Sequence, residues 1–528
     1  MAKLDNFREK DFLDQVALLN EVAGSKDKGE LDHLMALFRD PMDDTTLDYL
    51  VVNALNAILS EDEELIVSGI KSDDEALRTL CVRVAGEYGF LSSIEAIEAL
   101  YKQEEDVDAR IEQLTVLASF DEESTLPIFR EAIYSKDEYE AALAIETLGR
   151  LNDTESIDLL KKLVTENNED DTYEQCEITT WKAIEAMAMI ESDQTLAFLA
   201  EHLHHKNPTA RRIITDTMSS LGEKIVPHLE KILEKDNVDD KLLAANIIGF
   251  IGHKKGGDAL VHALDRKLLE DENAKYAAYE ALGRIGTMKC IICLVDGLAE
   301  PDDFILIAVV TALEKHVNPG ILKSVSKLLH GTKDQAIRLA KAIVAAKAVR
   351  LFTALYPDEE ISNALMDVLV ESKDAEVIEA FHATLADMDT ERADNDMARL
   401  PFAAEPTRYA LAADDSRSML ALHRAILADM GFEPIAVSNG EEAYELIEEG
   451  ADFDIIITDM NMPVMDGMEF VERLRYTEGC EDVPVIMVTT ESEGSQQELA
   501  RKAGVDAFVT KPFKPDQLKS TIRELLGE

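Results

Sequence analysis

The sequence predicts a multidomain chain: an all-α solenoid over residues 1–388, a connector over 389–407, and an α/β doubly wound domain with five parallel strands over 408–528. Three observations predict it. Apolar residues before position 388 recur at three- and four-residue spacing without Val/Ile alternation, which marks helices. Glycine and small-residue signatures return every ~30 to 34 residues, the period of a helical hairpin. From Arg408 onward, short apolar runs alternate with helical patterns, as in a parallel sheet wrapped by helices.

The repeat is clearest in Leu148-Gly149-Arg150-Leu151-Asn152, Leu221-Gly222, Gly249-Phe250-Ile251-Gly252 and Gly283-Arg284-Ile285-Gly286. Each ends a helix of small residues such as Ala277-Ala278-Tyr279-Glu280-Ala281-Leu282. Partner helices keep the rhythm: Val226 to Leu233 aligns with Ala259 to Leu264 and with Ile321 to Val325. A two-helix unit cannot bury its own apolar face, so neighbours must stack on it. Glycine at each helix end is expected to supply the left-handed turn. The Ala-x-x-Ala-Leu-Gly-x-Ile-Gly pattern resembles HEAT repeats of the short bacterial type, which implies architecture rather than activity.

Glu166 to Glu174 lengthens one repeat with an acidic run, expected as a solvated loop. His202, His204 and His205 are expected at a helix end, where a cation is favoured. Cys290 and Cys293 have neither a second pair nor a histidine cluster nearby, so they read as structural rather than as zinc ligands. Met388 to Arg408 holds acids and prolines without a sustained period and reads as a flexible or semi-extended connector.

The 528 residues carry a formal net charge of −53. From Pro406 onward there are 25 acids and 11 Lys+Arg, a net of −14, which leaves −39 for the rest. Acidity therefore spans the molecule, against nucleic acid or anionic membrane as partners. Met1 to Lys10 is charged and reads as no signal peptide. The longest apolar run, Phe304 to Leu313, is about half the ~20 residues of a membrane span. Five scattered cysteines fit a reducing cytoplasm.

In the last domain, helical patterns run near Ser416–Met430, Gly440–Glu449, Asp466–Tyr476, Gly494–Lys502 and Pro515–Leu526. Strands precede them. Asp414 and Asp415 end the run Tyr409 to Ala413, Asp459 ends Ile455-Ile456-Ile457-Thr458, Thr489 ends Val485 to Val488, and Lys511 ends Phe508-Val509-Thr510. Open α/β sheets bind ligands at such strand ends. Taken alone, Asp415 or Ser416 reads as a helix cap and Asp466-Gly467 as a turn and helix start. Together the three carboxylates, the hydroxyl and the amine read as one site. Clustered carboxylates repel each other without a cation, and Mg2+, a hard ion that takes oxygen ligands, suits them.

The Asp-Asp pair, the run Asp459-Met460-Asn461-Met462-Pro463-Val464-Met465-Asp466-Gly467, Thr489 and Lys511-Pro512-Phe513 appear in order. The segment resembles the receiver domain of two-component response regulators, similar to the single-domain chemotaxis receiver and flavodoxin-like in fold. The resemblance implies Asp459 as phosphoacceptor for a histidine kinase or phosphotransfer protein. It implies Mg2+ held by Asp415 and Asp459, with Asp414 acting through water and Asn461 through its backbone carbonyl. Lys511 and Thr489 would contact the phosphoryl group, and Pro512 would follow Lys511 in a cis bond. An aromatic switch would fall at Phe508, where many receivers carry Tyr. Asn461 and Glu491 flank the path of attacking water, suggesting a short-lived phosphoryl group. The first strand, Ala410 to Ala413, is light for a central strand, with lower local stability expected.

The expected function is bacterial two-component signalling in the cytoplasm, with no enzymatic activity beyond the receiver's own phosphoryl transfer and dephosphorylation. Phosphorylation would act through the face of the last two helices and strand, regulating protein interactions of the HEAT scaffold. The alternative is a binding-only scaffold whose receiver is a docking module or phosphate sink. A third reading is enzymatic, since short HEAT arrays also occur in bilin lyases and base-excision glycosylases. The acidity and the lack of a convergent catalytic set in the solenoid stand against it.

Overall fold

Aspartate and asparagine set the helix boundaries of the solenoid. Asn237 caps Val238–Ile251 by accepting from Asp239 N at 2.9 Å. Asp271 caps Glu272–Ile285 and Asp302 caps Asp303–Glu314 in the same way. Each such cap satisfies backbone donors that the helix leaves open and contributes about 1 kcal/mol. Part of the acidity is therefore structural. The computed structural model describes residues 3–42, 44–166, 177–205, 207–372, 374–400, 408–489, 494–511 and 513–527. Helices fill the described residues up to 400, and the chain forms two units, one up to Thr195 and one from Leu196 to Glu528.

The glycine signature works differently from the expected turn at every helix end. Gly249 and Gly283 lie inside helices. A Cβ on Gly249 would come within 2.9 Å of the Ala281 backbone, and one on Gly283 equally near that of Ala312. They permit close helix approach, as Gly149 does beside Ala186 in the first unit. The left-handed turn belongs to the glycine three residues on, Gly252 at φ 66° and Gly286 at φ 64°. This divides the motif into a packing glycine and a capping glycine.

Other expectations of the solenoid have mixed outcomes. His202 stands at a helix end, its Nδ1 2.8 Å from the Phe198 carbonyl and its ring stacked on Phe198. Cys290 is buried, and burial pushes the Cys293 thiol up to about 12, so Cys293 is no ready thiolate. The acidic insertion over 167–174 lies outside the described residues. The connector is shorter than expected. Glu391–Met397 is a helix capped by Thr390, with Ala393 buried and Asp396 accepting from the Tyr356 hydroxyl at 2.7 Å. Its polar composition hid a helix that docks through one face.

The last domain is a parallel sheet of β1 (Tyr409–Ala413), β2 (Glu433–Val437), β3 (Ile455–Asp459), β4 (Val485–Thr489) and β5 (Ala507–Thr510), in the order β2-β1-β3-β4-β5. Helices α1 (Arg417–Asp429), α2 (Gly440–Glu448), α3 (Gly467–Arg475), α4 (Gly494–Ala503) and α5 (Pro515–Leu526) alternate with the strands. Alternate strand residues feed opposite faces. Leu411, Ile456 and Met487 pack with Met468, Val471 and Leu474 of α3. Ala412, Ile457 and Val488 pack with Met419 and Leu422 of α1 and Ile522 of α5. The light strand β1 is hydrogen-bonded on both sides, and Ala410 to Ala413 are fully buried.

Within this second unit the receiver-like domain packs against the solenoid through α1 and the loop after β3. Tyr276 and Ala308 join the core cluster beneath α1, and Arg212 reaches Val464 and Glu469. The contact uses α1 because Tyr276 and Phe304 supply apolar surface where α1 offers Met419 and Leu422.

Candidate acid site at the sheet switch point

The strand order reverses between β1 and β3, so the carboxyl ends of these two strands frame one crevice. Asp414 and Asp415 follow β1, and Asp459 ends β3. One carboxylate oxygen from each lies within 4.8 Å of the others. Lys511, just past β5, bridges two of them, with Nζ 2.9 Å from Asp414 Oδ2 and 3.1 Å from Asp459 Oδ1. Its backbone N–H donates to the Thr489 carbonyl at 2.7 Å, which ties the amine to the end of β4. The structure thus brings Asp414, Asp415, Asp459 and Lys511 together and sets Thr489 at the neighbouring strand end.

Ser416 resolves the capping question. Its Oγ accepts from Met419 N at 3.1 Å, so Ser416 is the cap of α1 and Asp415 is left to the crevice. Asp414 is fully buried and accepts from Ser416 N at 2.9 Å. Gly467 is required by geometry: a Cβ there would overlap the Asp459 carbonyl oxygen. Asp466 caps α3 by accepting from Glu469 N at 2.9 Å. Two residues before Asp466, Val464 takes φ 68° with its side chain exposed, a left-handed backbone that β-branched residues resist at about 1–2 kcal/mol.

Thr489 is buried, with Oγ1 3.8 Å from Met460 Sδ. Phe508 sits opposite Met487 and is half-buried against the α3-face core, with the Arg501 guanidinium 5.8 Å from its ring. Asn461 lines the crevice. Pro512 and Glu491 lie outside the described residues.

The electrostatics are those of an acid cluster short of positive charge. Burial, then the charges of Asp414 and Asp459, push the Asp415 carboxyl up to about 8. Burial raises Asp459 to about 7; Lys511 opposes this and Asp414 adds to it. For Lys511, burial would lower the amine, but the carboxylates outweigh it and hold it above the ordinary lysine range. One amine cannot neutralise three clustered carboxylates, two of them buried. Their oxygen donors and spacing fit a hard divalent cation, and among the described residues this is the only such group of three potential ligands.

Sequence reasoning missed the residues facing the acids from the solenoid. A cavity of about 280 Å³ has Asp414, Asp415 and Asp459 on one wall and Arg212, Tyr276 and Glu280 on the other. Tyr276 looks in sequence like any core aromatic of a repeat, and nothing in its spacing signals a contact 140 residues away.

A parallel five-stranded sheet with acids at its switch point and a lysine after β5 defines a receiver domain. Comparison with known proteins agrees. The response regulator receiver domain family matches residues 410–523, and HEAT repeats match 94–178 and 226–314. The chemotaxis protein CheY homolog of Campylobacter jejuni subsp. jejuni is 38% identical over 118 residues, covering 22% of this chain and 91% of that protein. Chemotaxis protein CheY1 of Helicobacter pylori is 36% identical over 118 residues, covering 22% of this chain and 95% of the relative. Among solved structures, Vibrio cholerae CheY4 is 35% identical, covers 22% of this chain and 98% of its own, and has a TM-score of 0.22. The chain belongs, through its C-terminal domain, to the response-regulator receiver family, and carries HEAT repeats before it.

Proposed function

We propose that Asp459 accepts a phosphoryl group from a phosphohistidine on a histidine kinase or phosphotransfer protein. An Asp459 carboxylate oxygen attacks phosphorus, the phosphorus–nitrogen bond breaks with its electron pair going to the imidazole, and an acyl phosphate forms. Lys511, already within 3.1 Å of Asp459, stays beside the transferred group as a point charge. Thr489 turns its hydroxyl from Met460 toward a phosphoryl oxygen. Asp414, Asp415, Asp459 and the Asn461 carbonyl would hold Mg2+, which when bound offsets negative charge during transfer. Phe508 lacks the hydroxyl of a tyrosine, so its switch runs on packing, worth about 2 kcal/mol on full burial.

The observation that carries this reading is the lysine bridge between two carboxylates of a trio gathered at the switch point. The HEAT repeats then act as a scaffold for a protein target, with phosphorylation regulating its interactions. The receiver's own phosphoryl transfer and dephosphorylation are the chain's chemistry. The net charge of −53 supports protein rather than nucleic acid or membrane partners, and a cytoplasmic setting suits a kinase-coupled receiver. Among the described residues, no helix is long and apolar enough to cross a membrane. Phosphotransfer profiling against purified histidine kinases tests the reading. At least one kinase should label the chain, and Asp459→Ala should abolish the label. Label retained by Asp459→Ala would contradict it.

A further inference from the structure

The face of the receiver around its acid site is covered by the chain's own solenoid. Three anchors hold it there. The Tyr276 hydroxyl bonds Ser416 Oγ, and Glu280, one helical turn on, lies 3.1 Å from the same oxygen. Across the crevice Arg212 donates to the Val464 carbonyl at 3.1 Å and pairs with Glu469 at 3.5 Å. Along α1, buried Arg424 pairs with Glu376 at 2.7 Å and lies 3.7 Å from Asp374. Between the first two anchors, the Tyr276 ring stacks on Phe304 at 4.2 Å and joins the Met419 and Leu422 cluster. This contact combines a buried apolar centre with charged and polar pairs around it, as a specific interface does.

Size decides what can still reach Asp459. The cavity left between the walls is about 280 Å³, room for a small acyl phosphate. A phosphohistidine on a protein brings a folded surface with it, and a single helix is already about 10–12 Å across. Asp459 lies between the loops after β1 and β3, where Ser416 and Val464 are already held by Tyr276 and Arg212, so such a surface meets the solenoid there.

We propose that the solenoid is a cap on the phosphoacceptor face, and that a protein donor and the solenoid compete for it. The partner this surface fits is a phosphohistidine-bearing protein, and opening of the cap precedes transfer. The apparent affinity for the donor is therefore scaled by the open fraction. By linkage, a donor bound to the open face drives the solenoid off by the same factor. This inference rests on Asp459 being the phosphoacceptor.

The test uses the full chain and Glu376→Arg, which sets a cation against Arg424 far from the acids. A panel of purified phosphotransfer domains carrying labelled phosphohistidine serves as protein donor, and acetyl phosphate as small donor. Transfer from the protein donor should rise at least about tenfold in Glu376→Arg, while the acetyl phosphate rate changes less than about twofold. Adding Arg424→Glu to Glu376→Arg should restore slow transfer. Tyr276→Phe, which removes the hydroxyl that bonds Ser416 and keeps the ring, should give a smaller gain in the same direction. Equal protein-donor rates in wild type and both opened variants would overturn the cap. So would a panel in which no donor labels the opened chain while acetyl phosphate does. Failure of acetyl phosphate to label Asp459 in any form would instead overturn the phosphoacceptor reading.

Discussion

Asp358 in the solenoid and Asp415 in the receiver are the same residue put to opposite use. Asp358 is partly exposed at a helix start, accepts from Glu360 N and Ile361 N at 3.2 Å, and pairs with His330 at 2.9 Å. Its hydrogen bond to His330, then that to Ile361 N, hold its carboxyl below the ordinary range. Asp415 is enclosed between two domains beside two other carboxylates, and burial with like charge drives it up to about 8. Charge in the solenoid is satisfied locally and stabilises the fold. Charge at the receiver's acid site is offset only in part, by one lysine shared between Asp414 and Asp459. That difference separates scaffold from site more sharply than composition does, since both parts are acidic.

The comparison breaks most visibly with pH. A carboxyl whose folded pKa is raised contributes stability that is full below its unfolded pKa, near 4, and lost as pH rises through the folded value. Without divalent ions, thermal stability should fall from about pH 4, by at least about 2 kcal/mol, and level off above about pH 8, once Asp459 and then Asp415 have ionised in the folded protein. Mg2+ should remove most of the fall, and Asp415→Asn in the metal-free protein should remove the part that belongs to Asp415, leaving that of Asp459. Calorimetric melting across that range checks both. A flat profile without metal would mean that the trio is not under charge stress.

Packing gives the next effect. Gly283→Val forces a branched side chain into the Ala312 backbone and should cost about 1–3 kcal/mol in denaturant unfolding. Gly286→Ala, at φ 64°, should cost about 1 kcal/mol through strain in the turn. If the two costs were reversed, the division between packing and capping glycines would be wrong.

The smallest effect belongs to the solvated acids. Asp358→Ala should cost about 1 kcal/mol at neutral pH through loss of the cap. Because the folded pKa of Asp358 is lowered, its contribution is present above its unfolded pKa and lost as pH falls through the folded value. The difference between variant and wild type should therefore shrink below about pH 4, opposite to the behaviour of Asp415.

Local patterns were legible in the sequence. Helix α5 runs over Pro515–Leu526 as its periodicity predicts, and the acids and Lys511 meet because parallel strands deliver their ends to one edge. What depends on distant surfaces was not legible. The helix Glu391–Met397 has too little apolar surface to show a period, yet Ala393 and Asp396 dock on the preceding repeat. The inner glycines Gly249 and Gly283 read as turns because their role depends on Ala281 and Ala312 in the next repeat. Tyr276 and Arg212 carry no mark of facing the acid site, since that contact is set by how two independently patterned domains meet.

The receiver reading is tested most directly by where a phosphoryl group goes. The full chain incubated with acetyl phosphate and Mg2+, then reduced with borohydride and digested, reports the modified residue by mass spectrometry. The expected result is one modified position, Asp459, lost when Mg2+ is chelated. Modification elsewhere, or labelling of Asp459 that is indifferent to the divalent ion, would contradict it.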